Sequence, residues 1–210
     1  MGTGPIASFL FDCQKFGPSE TIVSPDDLTK DHRLLILHGG EDISPSIYGE
    51  KKGPSQAGDK PSHRDLLEME ALERATHLDI PVLAICRGAQ LACAFLGGSL
   101  YQDVESHFGD HMLEIKVSNG DPIRTTTNSC HHQMMIPTSD AEVLATAGYW
   151  KSRRWRGDRK VDEGIEEPEV VLWRAEKILG VQGHPEWSHT PGANAIYTYT
   201  KALLNTHFGV

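Results

Sequence analysis

The segment PVLAICRGAQLACAFLGG, residues 81–98, changes its character at Cys86. The residues before Cys86 form a short apolar run that is typical of a buried strand. Those after it carry apolar residues at helical spacing and end in a double glycine, a common helix terminus. We therefore predict a strand, a sharp turn at Cys86 and a helix, which together form one unit of an α/β fold.

Segments on the N-terminal side repeat this alternation of strand and helix. IASFLF (6–11) and RLLILHGG (33–40) are typical of short buried strands. The sequence at 61–79 predicts a helix, with Ser62 as its N-cap and Asp65 completing a capping box. The apolar stripe that we expect to pack against the sheet consists of Leu66, Met69, Leu72 and Ala75. Such alternation predicts a largely parallel sheet with helices on both faces.

The first crossover is short. Only residues 12–32 separate the first two predicted strands, and a crossover with its helix normally takes at least about 10–12 residues. We therefore expect the first helix to be missing or reduced to a loop, which affects the edge of the sheet rather than the site.

The C-terminal half is richer in strands. Five strand-like segments lie close together, so we expect some of them to pair antiparallel. They are LEIKV (113–117), IRTTT (123–127), AEVLATA (141–147), EVVLWR (169–174) and KILGVQG (177–183). A closing helix is predicted at 195–208. We expect one domain over residues 1–210, since α/β domains of this length are common.

Composition and charge argue against several classes of protein. A net charge of −9 disfavours binding to nucleic acid or to an anionic membrane, because phosphates would be repelled. No apolar run approaches the ~18–20 residues of a membrane span, and the first residues lack the basic segment of a signal peptide. The four cysteines show no CxxC pairing, which fits a reducing compartment. We expect a soluble, cytoplasmic protein.

One stretch is strongly charged. KSRRWRGDRK (151–160) is basic and DEGIEEPE (162–169) is acidic. We interpret the stretch as a solvated loop whose halves neutralise each other. The alternative is a docking surface for a partner or an anionic substrate, which Trp155 within the basic run favours.

Cys86 is the first candidate for chemistry. A cysteine between a buried strand and a helix lies at the positive end of the helix dipole, where backbone N–H groups favour the thiolate. Gly88 and Ala89 provide the small residues that a sharp strand-to-helix turn needs. The N–H of Arg87 would then point into the site and help to hold an oxyanion. The alternative is that Cys86 is a buried apolar residue, as most cysteines are.

A thiolate nucleophile needs a base and a group that orients the base. His184 and Glu186 follow the apolar run ILGVQG (178–183), and residues i and i+2 of an extended chain face the same side. His184 is therefore the candidate base and Glu186 its partner. HGGED (38–42) is a second strand-end turn, and its glycines allow the backbone to approach a ligand closely. It is a candidate source of the second oxyanion N–H.

Two histidine-containing segments raise the question of a metal. NSCHHQ (128–133) is a polar loop, and HFGDH (107–111) places His107 and His111 four residues apart. The second segment contains glycine and is not predicted to be helical, and no carboxylate or cysteine completes a recognisable set of ligands. We therefore expect neither a metal nor a cofactor.

Taken together, these motifs resemble the class I glutamine amidotransferases, and within them the γ-glutamyl hydrolase branch, peptidase family C26, which includes the γ-glutamyl-γ-aminobutyrate hydrolases. The resemblance covers roughly residues 33–190, in the family's order. Its most specific signal is Cys-Arg-Gly-x-Gln after a strand, followed by His-Pro-Glu at 184–186. The matching segments are LHGGEDISPSIYGE (37–50), RDLLEMEAL (64–72), IPVLAICRGAQLACAFLGGSLYQDV (80–104), NSCHHQ (128–133) and LGVQGHPEW (179–187).

The resemblance implies a fold and a reaction. The fold is an α/β three-layer αβα sandwich, with a flavodoxin-like, mostly parallel sheet and additional antiparallel strands in the C-terminal half. The reaction uses a Cys-His-Glu triad: Cys86 attacks a γ-glutamyl amide, His184 transfers the proton and Glu186 orients the histidine. Water then hydrolyses the γ-glutamyl thioester.

The same resemblance implies further site residues. The backbone N–H groups of Gly40 and Arg87 form the oxyanion hole. Gln90, Ser129 and His131 are expected to surround the α-amino and carboxylate groups of the glutamyl substrate.

Two positions depart from the family pattern. His38 stands where the family usually has proline, and Gly183 stands where an aromatic residue commonly precedes the histidine. The missing side chain at Gly183 is expected to open the pocket.

Three functions are open on the sequence alone. The first is a hydrolase that acts by itself on a small γ-glutamyl amide, which the ICRG form and the lack of a synthetase domain favour. The second is a glutaminase subunit that delivers ammonia to a separate synthetase partner, with the charged segment 151–169 as part of a docking face. The third is a scaffold without catalysis, which the intact Cys86, His184 and Glu186 disfavour.

Overall fold

The computed structural model describes residues 4–11, 13–148, 154–161, 166–188 and 190–210. Within these residues, a nine-stranded sheet is accompanied by a three-stranded and a two-stranded sheet. The strands are β1 (Ile6–Phe9), β2 (Ser19–Ile22), β3 (Leu34–Leu37), β4 (Val82–Ile85), β5 (Ser99–Tyr101), β6 (Asp103–Val104), β7 (His111–Ile115), β8 (Ile123–Thr127), β9 (Met134–Ile136), β10 (Glu142–Ala147), β11 (Arg154–Arg156), β12 (Arg159–Val161), β13 (Pro168–Trp173) and β14 (Ile178–Val181). The α-helices are α1 (His63–Leu78), α2 (Arg87–Phe95) and α3 (Pro191–Phe208). None of the helices in the described part of the chain has the length and hydropathy to span a bilayer.

The main sheet has the order β2-β1-β3-β4-β14-β13-β10-β7-β8. From β2 to β14 every neighbouring pair is parallel. The remaining strands are added as antiparallel pairs, so that only β13 and β7 of this described sheet run against the others. The predicted sheet, mostly parallel with antiparallel additions in the C-terminal half, is therefore confirmed.

Helices cover both faces of the main sheet. α1 and α2 pack on one face, where Leu72 and Leu91 join a buried cluster with Leu37 of β3. α3 packs on the other face, where Ile196 joins a second buried cluster with Ile36. Successive residues of β3 thus face opposite helical layers, which explains why LLIL is apolar throughout. The three-layer αβα sandwich is confirmed.

The first crossover lacks an α-helix, as predicted. Between β1 and β3 the chain forms the short strand β2 and two 3₁₀ helices, Gln14–Phe16 and Pro25–Asp27. The sequence does not predict β2, because this strand lies at the sheet edge and buries only Ile22. The shortened crossover therefore adds an edge strand beside β1.

Helix α1 starts where the sequence predicts but buries a different face. Ser62 is the N-cap, and Asp65 completes the capping box. Leu66, however, is 50% exposed, so the predicted apolar stripe is wrong at this position. The buried face instead carries Asp65 and Glu68 together with Leu72. The two carboxylates are buried because an arginine of α2 lies against them.

The strands and the closing helix predicted in the C-terminal half are present, but the helix begins earlier than predicted. The five predicted strand segments are present as β7, β8, β10, β13 and β14. α3 starts at Pro191, ahead of the predicted residue 195. The N-cap is Thr190, whose side chain accepts a hydrogen bond from the N–H of Ala193. Threonine followed by proline is a helix start signal that the apolar periodicity alone does not reveal.

The basic half of the charged stretch forms a hairpin, so the prediction of a solvated loop is wrong there. β11 and β12 pair antiparallel, and β11 also pairs with β6. Arg154 is buried and forms an ion pair with the buried Glu167, so the two halves do neutralise each other at this point. Residues 151–153 and 162–165 lie outside the described residues.

Candidate active site

Cys86 lies at the sharp turn between β4 and α2. Its backbone has φ 50° and ψ −108°, a conformation that non-glycine residues rarely adopt. The N–H of Cys86 donates to the carbonyl oxygen of Val181 at 2.6 Å. Two residues later, a Cβ on Gly88 would lie 2.7 Å from the carbonyl oxygen of Leu37, so glycine lets α2 start this close to β3. The turn therefore holds Cys86 at the carboxyl end of the parallel strands.

His184 follows β14, the neighbour of β4 in the sheet, and several contacts fix its position. Its Nδ1 lies 2.8 Å from Oε1 of Glu186. The N–H of His184 donates to Oδ1 of Asn128 at 2.9 Å, and Nδ2 of Asn128 donates to the His184 carbonyl at 3.0 Å. The indole of Trp187 stacks on the imidazole, with ring centroids 4.2 Å apart. These contacts leave Nε2 as the ring nitrogen that can bond Cys86.

The surroundings of His184 favour its protonated form. Burial opposes the charge, but hydrogen bonds with Cys86 and Glu186 outweigh this effect and raise the pKa of His184 to about 10. A protonated imidazole beside Cys86 stabilises a thiolate, and it is also the acid that a leaving amine requires. The pair can therefore supply both a nucleophile and a proton donor at neutral pH.

The turn after β3 brings Gly39 and Gly40 against the same two side chains. A Cβ on Gly39 would lie 2.8 Å from Cε1 of His184 and 3.4 Å from Cβ of Cys86. The guanidinium of Arg64 donates to the carbonyl oxygen of Gly39 at 3.1 Å and so fixes the turn. The turn predicted to donate an oxyanion N–H thus lies beside the cysteine.

The side chain of Arg87 is buried against α1. Its guanidinium forms ion pairs with Asp65 and Glu68 of α1, and all three side chains are at most 1% exposed. As the first residue of α2, Arg87 has a backbone N–H without an intrahelical partner. The side chain therefore ties the first turn of α2, and with it Cys86, to α1.

Replacing Arg87 by methionine is expected to lower the free energy of unfolding by about 3–5 kcal/mol, because the buried Asp65 loses its countercharge and the buried Glu68 keeps only Arg64. Urea unfolding of the purified chain measures this change. The matched control is Arg174→Met, which breaks an exposed pair with Glu142 and is expected to cost about 0–1 kcal/mol. Equal losses from the two substitutions would contradict the structural role of Arg87.

The three predicted substrate-binding residues are buried and have protein partners. Nε2 of Gln90 donates to the Gln133 carbonyl at 2.9 Å. The hydroxyl of Ser129 donates to the His107 carbonyl at 2.6 Å. Nδ1 of His131 lies 2.9 Å from the Gln133 carbonyl. These contacts fix the polar loop that adjoins His184, and the substrate-binding roles themselves stay predictions.

Gly183 does not open a pocket, so this expectation is wrong. A Cβ at Gly183 would lie 2.4 Å from Oγ1 of Thr127 and 2.9 Å from the carbonyl oxygen of Asn128. The end of β8 and the following residue therefore occupy the space that an aromatic side chain would need. The glycine allows this loop to approach the strand that carries His184.

The two histidine segments meet in the fold, and a carboxylate joins them. His107, His131 and Glu169 place donor atoms within 4.8 Å of one another. The expectation that no carboxylate completes a ligand set is therefore wrong. Its physical reason is topological: Glu169 belongs to β13, which is remote in sequence from both histidine segments. These residues could hold a metal ion.

Asn128 and Trp187 are not among the site residues that the sequence predicts. Both lie in motifs that the sequence does identify, at 128–133 and 179–187. Their contact with His184 depends on the approach of the loop after β8 to the end of β14. The sequence shows an amide in one motif and an indole close to His184 in the other. It does not show that either side chain contacts His184.

Comparison with known proteins identifies the family of this chain. The profile of the peptidase C26 family matches residues 30–186, a range that includes Cys86, His184 and Glu186. Protein NtpR of Enterococcus hirae is 33% identical over 178 aligned residues, covering 74% of this chain and 67% of that protein. The γ-glutamyl-γ-aminobutyrate hydrolase PuuD of Escherichia coli is 29% identical over 167 aligned residues, covering 70% of this chain and 60% of that protein. The chain spans about half to two thirds of the length of the curated relatives that it matches.

A solved structure extends the likeness to the fold. The crystal structure of a glutamine amidotransferase from Thermotoga maritima has a TM-score of 0.57 to this chain at 16% identity, covering 97% of this chain and 85% of that chain. At this identity the likeness concerns the fold alone, whereas the family profile concerns the sequence. The chain belongs to the peptidase C26 family of class I glutamine amidotransferase-like proteins, a family of amidohydrolases.

Proposed function

We propose that this chain hydrolyses a γ-glutamyl amide, either glutamine or a γ-glutamyl amine, through a covalent thioester on Cys86. The observation that carries the proposal is the placement of Cys86 and His184 around Gly39, with Glu186 behind the histidine. Membership of the peptidase C26 family and the similarity to PuuD support a γ-glutamyl substrate. The products would be glutamate and ammonia or an amine.

In the first half of the proposed reaction, the thiolate of Cys86 bonds to the γ-carbonyl carbon of the substrate. The N–H groups of Gly40 and Arg87 donate to the carbonyl oxygen as it becomes negative. The imidazolium of His184 transfers its proton from Nε2 to the leaving nitrogen, the C–N bond breaks and the amine departs. A γ-glutamyl thioester on Cys86 and a neutral His184 remain.

In the second half, a water molecule attacks the thioester carbon. Neutral His184 takes a proton from the water, the C–S bond breaks and glutamate leaves. This step restores the thiolate of Cys86 and the imidazolium of His184. Throughout the cycle, Glu186 orients the ring and stabilises its positive charge, as a triad carboxylate does.

Recognition of the glutamyl group is assigned to the polar loop and to α2. We place the α-amino and carboxylate groups of the substrate next to Gln90, Ser129 and His131. Because their side chains already bond the Gln133 and His107 carbonyls, their contribution includes holding the loop backbone in position.

Gly39→Ala is expected to lower kcat by about 10²-fold or more, because the new Cβ would lie 2.8 Å from the His184 ring and small displacements of a catalytic group are costly. Steady-state release of glutamate measures the effect. Gly58→Ala is the matched control, since a Cβ there would have no neighbour closer than 3.5 Å. Near-normal turnover by Gly39→Ala would show that the glycine does not adjoin the reacting groups.

A second candidate function is a glutaminase subunit that delivers ammonia to a separate synthetase partner. Membership of the class I glutamine amidotransferase-like proteins favours it. In that case glutamine is the substrate, and turnover by the chain alone is slow until the partner binds.

The two candidates are distinguished by glutamate release from the purified chain alone, supplied with L-glutamine and with a panel of γ-glutamyl amines. Fast release from one γ-glutamyl amine would support the hydrolase and identify the leaving group. Slow release from glutamine alone would support the glutaminase subunit. Absence of release from every compound would contradict the proposed hydrolase.

A further inference from the structure

Four buried side chains meet where the polar loop 128–133 contacts β7 and β13. They are His107, His111, His131 and Glu169, which we call the three-histidine cluster. Their exposed fractions are 0%, 6%, 4% and 1%. They come from four places in the chain: the segment before β7, the first residue of β7, the loop after β8, and β13. The proposed reaction assigns no proton transfer to this cluster.

The distances from Glu169 to the histidines are close to those between two ligands of one metal ion. From Oε1 of Glu169, the distance is 3.3 Å to Nδ1 of His107, 3.2 Å to Nε2 of His111 and 3.8 Å to Nε2 of His131. Charge-assisted hydrogen bonds are shorter, at about 2.7–2.9 Å. Ligands at about 2.0–2.1 Å from a tetrahedral Zn²⁺ are separated by about 3.4 Å.

The histidine nitrogens and the Glu169 carboxylate lie close together, but most of them lack a hydrogen bond of good geometry. Among the described residues, no hydrogen-bond partner is present for either ring nitrogen of His107 and His111, for Nε2 of His131, or for either carboxylate oxygen of Glu169. Buried polar atoms of folded proteins nearly always have a partner. A cation held between these atoms would satisfy them together.

The tautomer of His131 strengthens this argument. Nδ1 of His131 faces the carbonyl oxygen of Gln133 at 2.9 Å, and a carbonyl can only accept, so Nδ1 must carry a proton. In the neutral ring, Nε2 then carries a lone pair and is an acceptor. It faces the carboxylate of Glu169, which is also an acceptor. A metal ion between these two acceptors would bind both of them and remove their repulsion.

The surroundings resemble the outer shell of a metal site. Nε2 of His107 lies 3.4 Å from Oε2 of Glu167, and Glu167 is in turn paired with Arg154. In a metal-bound histidine, one ring nitrogen usually binds the metal and the other donates to a carboxylate or a carbonyl oxygen. The carbonyl of Gln133 plays the same role for His131.

We propose that His107, His131 and Glu169 bind a divalent transition metal ion of the Zn²⁺ type, with His111 next to Glu169. The site joins the segment before β7, the loop at 128–133 and β13 into one rigid unit. The same loop carries Asn128, whose side chain forms hydrogen bonds with the N–H and the carbonyl oxygen of His184. The ion therefore stabilises the fold around the active site, and no step of the proposed reaction is assigned to it.

The test uses the full chain without an affinity tag, in a Cys86→Ala, Cys130→Ala background that removes two competing thiols. After treatment with a chelator, the protein is titrated with Zn²⁺ by calorimetry and with Co²⁺ by visible absorption. We expect one saturable equivalent, the absorption bands of tetrahedral Co²⁺, and a Tm increase of about 5–10 °C at Zn²⁺ near 100 times Kd.

Glu169→Gln keeps the size of the side chain, and we expect it to weaken binding at least about 10-fold, because the charged ligand is lost. The matched control is His77→Ala, an exposed histidine of α1, which should leave binding unchanged. Far-UV circular dichroism checks that each variant is folded. Absence of saturable binding to the parent chain, or equal affinity in Glu169→Gln, would overturn the proposal. The parent titration decides even if the variant does not fold.

Discussion

Cys86→Ala is expected to abolish turnover, with a loss of at least about 10³-fold in kcat. Removal of the nucleophile of a comparable triad costs up to about 10⁶-fold, and the residual rate comes from the oxyanion donors and substrate binding. Here the sulfur is the atom that would form the thioester, and no other described cysteine lies beside His184. Glutamate release under saturating substrate measures the loss.

The matched control for this substitution is Cys93→Ala, in the helix that follows the nucleophile. Cys93 is fully buried, and burial raises the pKa of its thiol to about 12, so it is not a nucleophile at neutral pH. We expect Cys93→Ala to retain turnover, with some loss of stability from the small cavity. Both variants should keep the parent far-UV circular dichroism. Appreciable turnover in Cys86→Ala would remove Cys86 from the mechanism.

Glu186→Gln is expected to lower kcat by about 10²- to 10⁴-fold and to shift the pH profile. The carboxylate orients the His184 ring and stabilises its charge, and loss of such a group in another triad costs about 10⁴-fold. The hydrogen bonds of Glu186 and Cys86 hold the pKa of His184 at about 10. Removing the negative charge disfavours the imidazolium, so the pKa of His184 falls.

The sign of the shift follows from the role of His184 as the acid. Activity requires the imidazolium and is lost as the pH rises through its pKa, so the basic limb of kcat/KM should lie near pH 10 in the parent chain. In Glu186→Gln the limb should move to lower pH. Glu73→Gln, on the exposed side of α1, is the control and should leave the limb in place. A basic limb at the same pH in all three proteins would contradict the Glu186–His184 pairing.

The elements that carry the candidate site could be predicted because their signals are local. Cys86 follows four buried apolar residues and precedes a helix, and His184 and Glu186 follow another apolar strand. The end of a buried strand is visible in the sequence, and parallel strands bring such ends to one edge of the sheet. The same reasoning places the Gly39–Gly40 turn at that edge.

What could not be predicted depends on partners that are distant in sequence. The apolar stripe of α1 fails at Leu66 because Arg87 draws Asp65 and Glu68 into the core. Arg87 is buried because it pairs with two carboxylates of α1. The spacing of apolar residues in either helix does not reveal this pairing. Prediction from hydrophobic patterning assumes that charged residues face solvent. A buried ion network therefore makes it assign the wrong face of the helix to the core.

The same limit explains the errors in the C-terminal half. Glu169 completes the three-histidine cluster through the antiparallel order of β13, β10 and β7, which the sequence does not specify. The hairpin of β11 and β12 needs β6 as its third strand. The single domain over residues 1–210, and the roles of Gln90, Ser129 and His131 toward the substrate, stay predictions.

In the proposed reaction, Cys86 carries a γ-glutamyl thioester during turnover. The most direct test is to mix the purified chain with its best γ-glutamyl substrate, quench in acid within one turnover and record the intact mass, followed by peptide mapping. We predict a mass increase of one glutamyl group, located on the peptide that contains Cys86, removed by hydroxylamine and absent from Cys86→Ala. An adduct on another residue, or rapid glutamate release without any adduct on Cys86, would contradict the account.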